Sequence, residues 1–160
     1  MIPAPSETEP LSGTLLGFDF GEKRIGVAVG ETETRLAHPV AAIAEEANGA
    51  RFAAIERLVA EWHPAGFVVG LPRHADGAEH EVARLAGKFA RRLGARFGLP
   101  VAFVDETLTS VEAEARLREA GGRARGKGAI DARAATLILQ SYLDNMNQPN
   151  AKGAHDRSPA

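Results

Sequence analysis

The 160-residue sequence predicts an α/β fold in which a central mixed five-stranded sheet carries helices on both faces. Three observations predict it. The folded region opens with alternating apolar segments between residues 14 and 43, the pattern of an antiparallel meander. Two short apolar runs follow, one at 67–71, typical of a strand buried on both faces, and one at 101–104, a further strand. Segments with apolar residues at 3- and 4-residue steps separate and follow those runs, so the later strands alternate with helices.

Taken in order, residues 14–20 and 23–29 alternate around a Gly-containing turn and read as a hairpin. In the first of these strands Leu16, Phe18 and Phe20 share one face, and Asp19 points to the other. A third strand is expected over about 35–43, where Pro39 confines it to an edge or a bulge. Phe52, Ile55, Leu58, Val59 and Trp62 give a helix over 51–62, and a polar loop at 73–77 follows the next strand. The helix over 81–97 has Val82, Leu85, Ala86, Phe89, Leu93 and Phe97 along one stripe. Off it lie Arg84, Lys88, Arg91, Arg92 and Arg96. Gly98 stops this helix and Pro100 opens the next strand. Thr109-Ser110-Val111-Glu112 has the form of a capping box, which starts a helix reaching about Glu119. Residues 121–128 read as a flexible basic loop, and the last helix as 130–144 with Asp131 its second residue. The prolines at 3, 5 and 10 mark residues 1–12 as a disordered arm, and 146–160 as a disordered tail, around a single domain at 13–145.

Hydrophobic residues at 44% and charged residues at 25% describe a folded, water-soluble chain. No apolar run approaches the roughly 20 residues that span a bilayer, and no leader opens the chain, so a cytoplasmic location is expected. The absence of cysteine excludes disulfides and thiolate metal sites, leaving carboxylates and histidines as metal ligands. His38, His63, His74, His80 and His155 show no ligand spacing. The formal charge of -2 conceals an asymmetry: residues 1–80 hold 6 Lys/Arg against 12 Asp/Glu, residues 81–160 hold 13 against 9. A basic half is a hint of a nucleic-acid surface.

Asp19 is the most informative single residue, because an ionised carboxylate in a sheet core needs a cation or a hydrogen-bond network to compensate it. The plainer role for Asp19 is to end its strand and accept hydrogen bonds from the following turn. Glu106 falls just past the last strand and Asp131 at the start of the last helix. Taken singly, Glu106 is an ordinary loop acid and Asp131 a first-turn acid favoured by the helix dipole. Brought together, the three carboxylates would repel unless a divalent cation neutralised them, and hard oxygen ligands suit Mg²⁺ or Mn²⁺. Lys23 and Arg24 lie just past Asp19, and Arg116, Arg118, Arg123, Arg125 and Lys127 lie between Glu106 and Asp131. A glycine-spaced basic loop beside a metal site is suited to a phosphodiester backbone, which is held by charge and reach. Neither GxGxxG nor GxxxxGK[ST] occurs. Asp19-Phe20-Gly21 is similar to the first phosphate loop of actin-like ATPases, but those proteins close two such domains around a cleft, and this chain has length for one.

Residues 16–28, Val68-Val69-Gly70-Leu71-Pro72, Asp76-Gly77, Val104-Asp105-Glu106 and Asp131-Ala132-Arg133-Ala134-Ala135 resemble the YqgF family of bacteria, also called RuvX, in the family's order. The resemblance spans about 14–144 and implies an RNase H-like fold related to the RuvC resolvases. It implies a cytoplasmic, divalent-metal-dependent nuclease that processes the 5′ end of the small-subunit (16S) ribosomal RNA precursor. Some members are described instead as Holliday junction resolvases acting on branched DNA. By position Asp19, Glu106 and Asp131 match the family's acidic triad, as catalytic residues and metal ligands. Lys23, Arg24, Arg123, Arg125 and Lys127 are the expected substrate contacts. Ribosomal-subunit association and a monomer or weak dimer complete the expectation. One departure stands out: the family usually continues Asp-Glu with Arg, whereas this chain has Thr107. Loss of that cation gives weight to a second function class, a non-catalytic RNA-binding factor in ribosome assembly.

Overall fold

The computed structural model describes residues 11–71, 78–105 and 126–146, and their side chains except at 78–79 and 126–131. The chain begins with the expected hairpin, β1 (Thr14–Asp19) antiparallel to β2 (Ile25–Glu31). Residues 20–24 form the turn, so β2 starts two residues later than alternation alone suggests. Gly21 explains the tightness, since a Cβ there would lie 2.5 Å from the Arg24 carbonyl oxygen. β3 (Leu36–Ile43) runs antiparallel along the outer side of β2. Its register slips where Val27 faces Ala41 and Ala28 faces Pro39, leaving Val40 as the extra residue. Pro39 thus sits at both an edge and a bulge, the two places where a missing N–H is tolerated.

α1 (Asn48–Trp62) leads to β4 (Gly66–Leu71), α2 (Ala78–Phe97) to β5 (Val101–Asp105), and α3 (Gly126–Asn145) closes the described chain. α1 ends at His63, whose φ of 50° lies in the left-handed region and whose N–H donates to the Val59 carbonyl at 2.8 Å. α2 ends at Gly98, left-handed at φ +66°, whose N–H donates to the Gly94 carbonyl at 2.9 Å. β4 and β5 are parallel to β1, and the sheet order is β3-β2-β1-β4-β5. β1, β4 and β5 therefore finish at one edge of the sheet. The expected helix at 109–119 lies outside the described residues.

Two cores flank the sheet. On one face Leu16, Phe18, Ile25 and Val27 pack with Phe52 and Ile55 of α1 and Phe89 and Leu93 of α2. Phe18 stands at its centre, with ring centroids 5.7 Å from Phe67 and 5.6 Å from Phe89. On the other face Leu15, Ala28, Val68 and Val104 pack with Ala135, Ile138, Leu139 and Leu143 of α3. Leu11, placed by sequence in the disordered arm, is buried in this second core, and its N–H donates to the Tyr142 hydroxyl at 3.2 Å. An apolar side chain next to a Gly66 that has no side chain of its own gains more from burial than the terminal segment loses in freedom.

α3 lies directly on β1. A Cβ on Gly17 would stand 2.8 Å from the Leu139 Cβ and 3.4 Å from the Ala135 carbonyl oxygen. Buried Gln140 ties the same helix to the sheet edge, accepting from the Ala37 N–H at 3.0 Å and donating to the Arg35 carbonyl at 2.8 Å. The helix starts at Gly126, four residues before the sequence-based boundary, so Lys127 sits in its first turn and not in a basic loop. Glycine lowers helix propensity but does not forbid a helix whose later turns are anchored in a core. Asp131 is accordingly the sixth helical residue, and the first turn holds no acid. The helix-dipole role for Asp131 falls away, because that effect fades within one turn.

The Gly17 contact predicts that Gly17→Ala lowers the urea unfolding free energy by roughly 1–3 kcal/mol, the usual cost of overpacking. Adding Leu139→Gly, which removes the Cβ that the new methyl would meet, should give a double variant less destabilised than the sum of the two singles. A strictly additive pair would break this account of the packing. A second prediction concerns pH. Burial holds the Tyr142 hydroxyl above its ordinary pKa, against a smaller opposing effect of the Leu11 N–H. The folded state therefore keeps its proton longer than the unfolded chain, and stability should fall as pH rises past about 10, the unfolded value. Tyr142→Phe should flatten this alkaline decline in urea midpoints, even though it also removes the Leu11 hydrogen bond.

Candidate active site

Asp19 is the last residue of β1, the central strand, and is half-buried. Alternation along β1 sends Leu16 and Phe18 into the Phe89 core and Leu15, Gly17 and Asp19 to the face covered by α3. Cross-strand partners point to the same face, and the partner of Asp19 is Gly26, so no side chain of β2 crowds its carboxylate. Buried Gly70, just before the end of β4, likewise adds no bulk at this end of the sheet.

The packing of α3 sets which of its turns meets Asp19. Gly30, opposite Leu15, would place a Cβ 3.0 Å from both Leu139 and Leu143, and Gly17 meets Leu139 and Ala135. The helix thus runs antiparallel to β1. One step of two residues along a strand, about 6.8 Å, matches roughly four residues along a helix, about 6 Å. The step from Gly17 to Asp19 therefore corresponds to the step from Ala135 to position 131. Positions 143, 139, 135 and 131 form one i, i+4 row of α3, the row laid on the sheet.

The remaining sequence-based candidates divide between described and undescribed residues. β5 ends at Asp105, immediately before Glu106, and it is an edge strand separated from β1 by β4. Glu106, Thr107, Arg123 and Arg125 lie outside the described residues, as do the side chains of Lys127 and Asp131. Lys23 is exposed and Arg24 half-buried in the turn that follows Asp19. Among the described residues no three His, Asp or Glu side chains converge, and of the expected acidic triad only the Asp19 side chain lies among them. A carboxylate at a strand end, unobstructed by its cross-strand neighbour and level with a helix turn bearing a second acid, fits a hard divalent cation.

The α2 stripe is solvent-facing. Arg84 pairs with Glu81 at 2.5 Å and Arg96 with Glu56 at 3.1 Å, while Lys88, Arg91 and Arg92 are exposed with no carboxylate partner among the described residues. The Arg84 guanidinium holds the Glu81 carboxyl below its ordinary pKa, chiefly through their hydrogen bonds.

Sequence reasoning passed over Arg51. It lies in the first turn of α1, is 4% exposed, and its guanidinium donates to three main-chain carbonyls. Nε donates to Glu45 O at 2.6 Å, and Nη2 to Gly21 O at 2.8 Å and to Glu22 O. The signal was present in the sequence: Arg51 precedes Ile55 by four residues on the buried stripe of α1, where a charge is out of place.

A family model for RuvX, described as a Holliday junction resolvase, matches residues 13–145. A protein of Dechloromonas aromatica named "Putative pre-16S rRNA nuclease" is 60% identical over 134 residues, covering 83% of this chain and 92% of the relative. A protein of the same name from Neisseria gonorrhoeae is 54% identical over 134 residues, covering 82% and 88%. Among solved structures, Thermus thermophilus RuvC in complex with a Holliday junction substrate superposes with a TM-score of 0.60 at 15% identity, over 84% of this chain and 96% of that one. The yeast mitochondrial Holliday junction resolvase Ydc2 follows with a TM-score of 0.57 at 12% identity, over 86% and 81%. At such identities the two structures speak for the fold, which is the RNase H-like arrangement expected. The match begins one residue before β1 and ends with α3, taking in the strand-end carboxylate and the helix laid across it, and the chain belongs to the RuvX family.

Proposed function

We propose that this chain is a divalent-metal-dependent nuclease that trims the precursor of 16S ribosomal RNA in the cytoplasm. The observation that carries the reading is the placement of Asp19 at the end of the central strand, level with position 131 of α3, in a chain 60% identical to a protein with that name. Asp19, Glu106 and Asp131 are the residues that would hold Mg²⁺ or Mn²⁺. When bound, such an ion lowers the pKa of water towards neutrality and stabilises the leaving oxygen of an in-line displacement.

The chain's own residues supply position and charge. The end of β1 fixes Asp19 on a backbone hydrogen-bonded on its β2 side and continuous with the sheet core. Lys23 and Arg24 bring cations within a few residues of that carboxylate, where they contact the phosphates flanking the scissile bond. Arg123, Arg125 and Lys127 add charge from the segment before and at the start of α3. The exposed Lys88, Arg91 and Arg92 of α2 attract the strand more diffusely, through long-range charge.

Asp19→Asn should reduce cleavage of a 16S precursor fragment to the EDTA background while leaving the far-ultraviolet circular dichroism and RNA retention unchanged. Metal-dependent cleavage by the variant at the wild-type rate would sink the assignment. Binding should weaken steeply with salt, since phosphate contacts release counterions.

A second reading is favoured by the resolvase description of the matching family: cleavage of branched DNA. The wild-type protein offered a precursor RNA and a four-way DNA junction side by side, with Mg²⁺ or Mn²⁺, should cut the RNA faster. Faster cutting of the junction would transfer the assignment to DNA. Binding of both without cutting would favour the assembly-factor class, and Thr107→Arg would then be the substitution to test for restored turnover.

A further inference from the structure

The hydrogen bonds of Arg51 join two segments that the secondary structure leaves unconnected. Its main chain belongs to α1, where the N-cap residue Ala47 offers no side-chain cap. Its side chain reaches back to the Glu45 carbonyl in the loop before the helix and across to the Gly21 and Glu22 carbonyls in the β1–β2 turn. The guanidinium lies over the Phe20 ring at 5.5 Å from its centroid. A buried cation that donates to main-chain carbonyls is an expensive way to stabilise a core even with the Glu46 and Glu22 carboxylates near enough to favour its charge, since an apolar side chain of similar volume would do so without desolvating a charge. What the planar fork offers is geometry: fixed donors to acceptors on separate segments, which an ammonium cannot match. The acceptors stand two and three residues past Asp19 and immediately before Lys23 and Arg24.

We propose that Arg51 is a positioning residue for the candidate active site: its guanidinium pins the main chain of the 20–24 turn to the start of α1, fixing Asp19, Lys23 and Arg24 before substrate arrives. The proposal rests on the nuclease reading for its catalytic part and on the structure alone for its mechanical part. The clamp grips the turn from the Phe89 side of the sheet, opposite the α3 side to which Asp19 points.

The test compares wild type, Arg51→Met and Arg51→Lys by amide hydrogen exchange and by single-turnover and steady-state cleavage of a precursor RNA fragment in Mg²⁺. Arg51→Met should speed exchange of residues 21–24 about tenfold or more, leaving β4 and the core of α2 unchanged. Its kcat should fall roughly 10- to 100-fold, as for other residues that orient metal ligands, with a smaller change in KM. Arg51→Lys, able to reach the Gly21 and Glu22 carbonyls but not to span to Glu45 as well, should fall between. If Arg51→Met fails to fold, Arg51→Lys decides: faster exchange confined to the turn with lowered kcat supports the clamp. Wild-type exchange in the turn, or exchange that rises equally across the whole chain, overturns it in either variant. Should the wild-type protein cut no substrate, the nuclease reading fails separately, and the exchange comparison still judges the clamp.

Discussion

The absence of a side chain at Gly17 is the constraint on which the site depends. A helix packs on a sheet at a distance set by the side chains between them, and at Gly17 the Leu139 Cβ already occupies the space where a Cβ would stand. This contact fixes the height of α3 above the sheet. Together with the leucines at 139 and 143 it fixes the helix's phase and direction, and therefore which turn arrives over the end of β1. The hydrogen bonds of Gln140 to β3 hold the same helix against sliding across the strands. A chemical site made from one strand and one helix needs this kind of registration, because neither element alone controls the separation of its carboxylates.

β1 serves two purposes on its two faces. Leu16 and Phe18 enter an aromatic core built with Phe67 and Phe89, which anchors the strand firmly. Leu15, Gly17 and Asp19 face α3 in the order large, absent, charged. The apolar end of this face is closed by Leu11, Leu139 and Leu143, and the far end opens where the strand finishes. Rigidity comes from one face and the candidate carboxylate stands on the other, so it can be held still without being wholly buried.

Much of this was legible in the sequence, for definite reasons. Period-two alternation revealed the hairpin and put Asp19 opposite Leu16 and Phe18. The runs at 67–71 and 101–104 read as strands because no polar residue interrupts them before Asp105, although only the first is buried on both faces and Phe103 of the second is 49% exposed. Pro39 announced its own edge. What alternation could not convey was the tertiary balance at segment ends: Gly126 and Gly128 look like loop residues until the buried turns of α3 extend the helix over them. Leu11 looks like part of a proline-rich arm until Gly66 leaves room for it. Arg51 has a meaning only in three dimensions, since two of its acceptors are carbonyls some thirty residues earlier, and carbonyls leave no trace in a sequence. Asp19 was legible as a candidate; its relation to position 131 needed the spacing of α3 on β1.

Among the described residues no strand pairs with the outer side of β3, which bears on how the molecule behaves in company. An unpaired strand is a template on which another chain can add, and long flat edges of this kind seed insoluble fibres. Pro39 deletes one N–H from the row, and the extra residue at Val40 twists the backbone away from flatness at the same point. A newly made chain meeting its copies on a crowded ribosome thus presents a broken ladder on this side. The irregularity that looks like a flaw in the sheet makes this side a poorer template for a second chain.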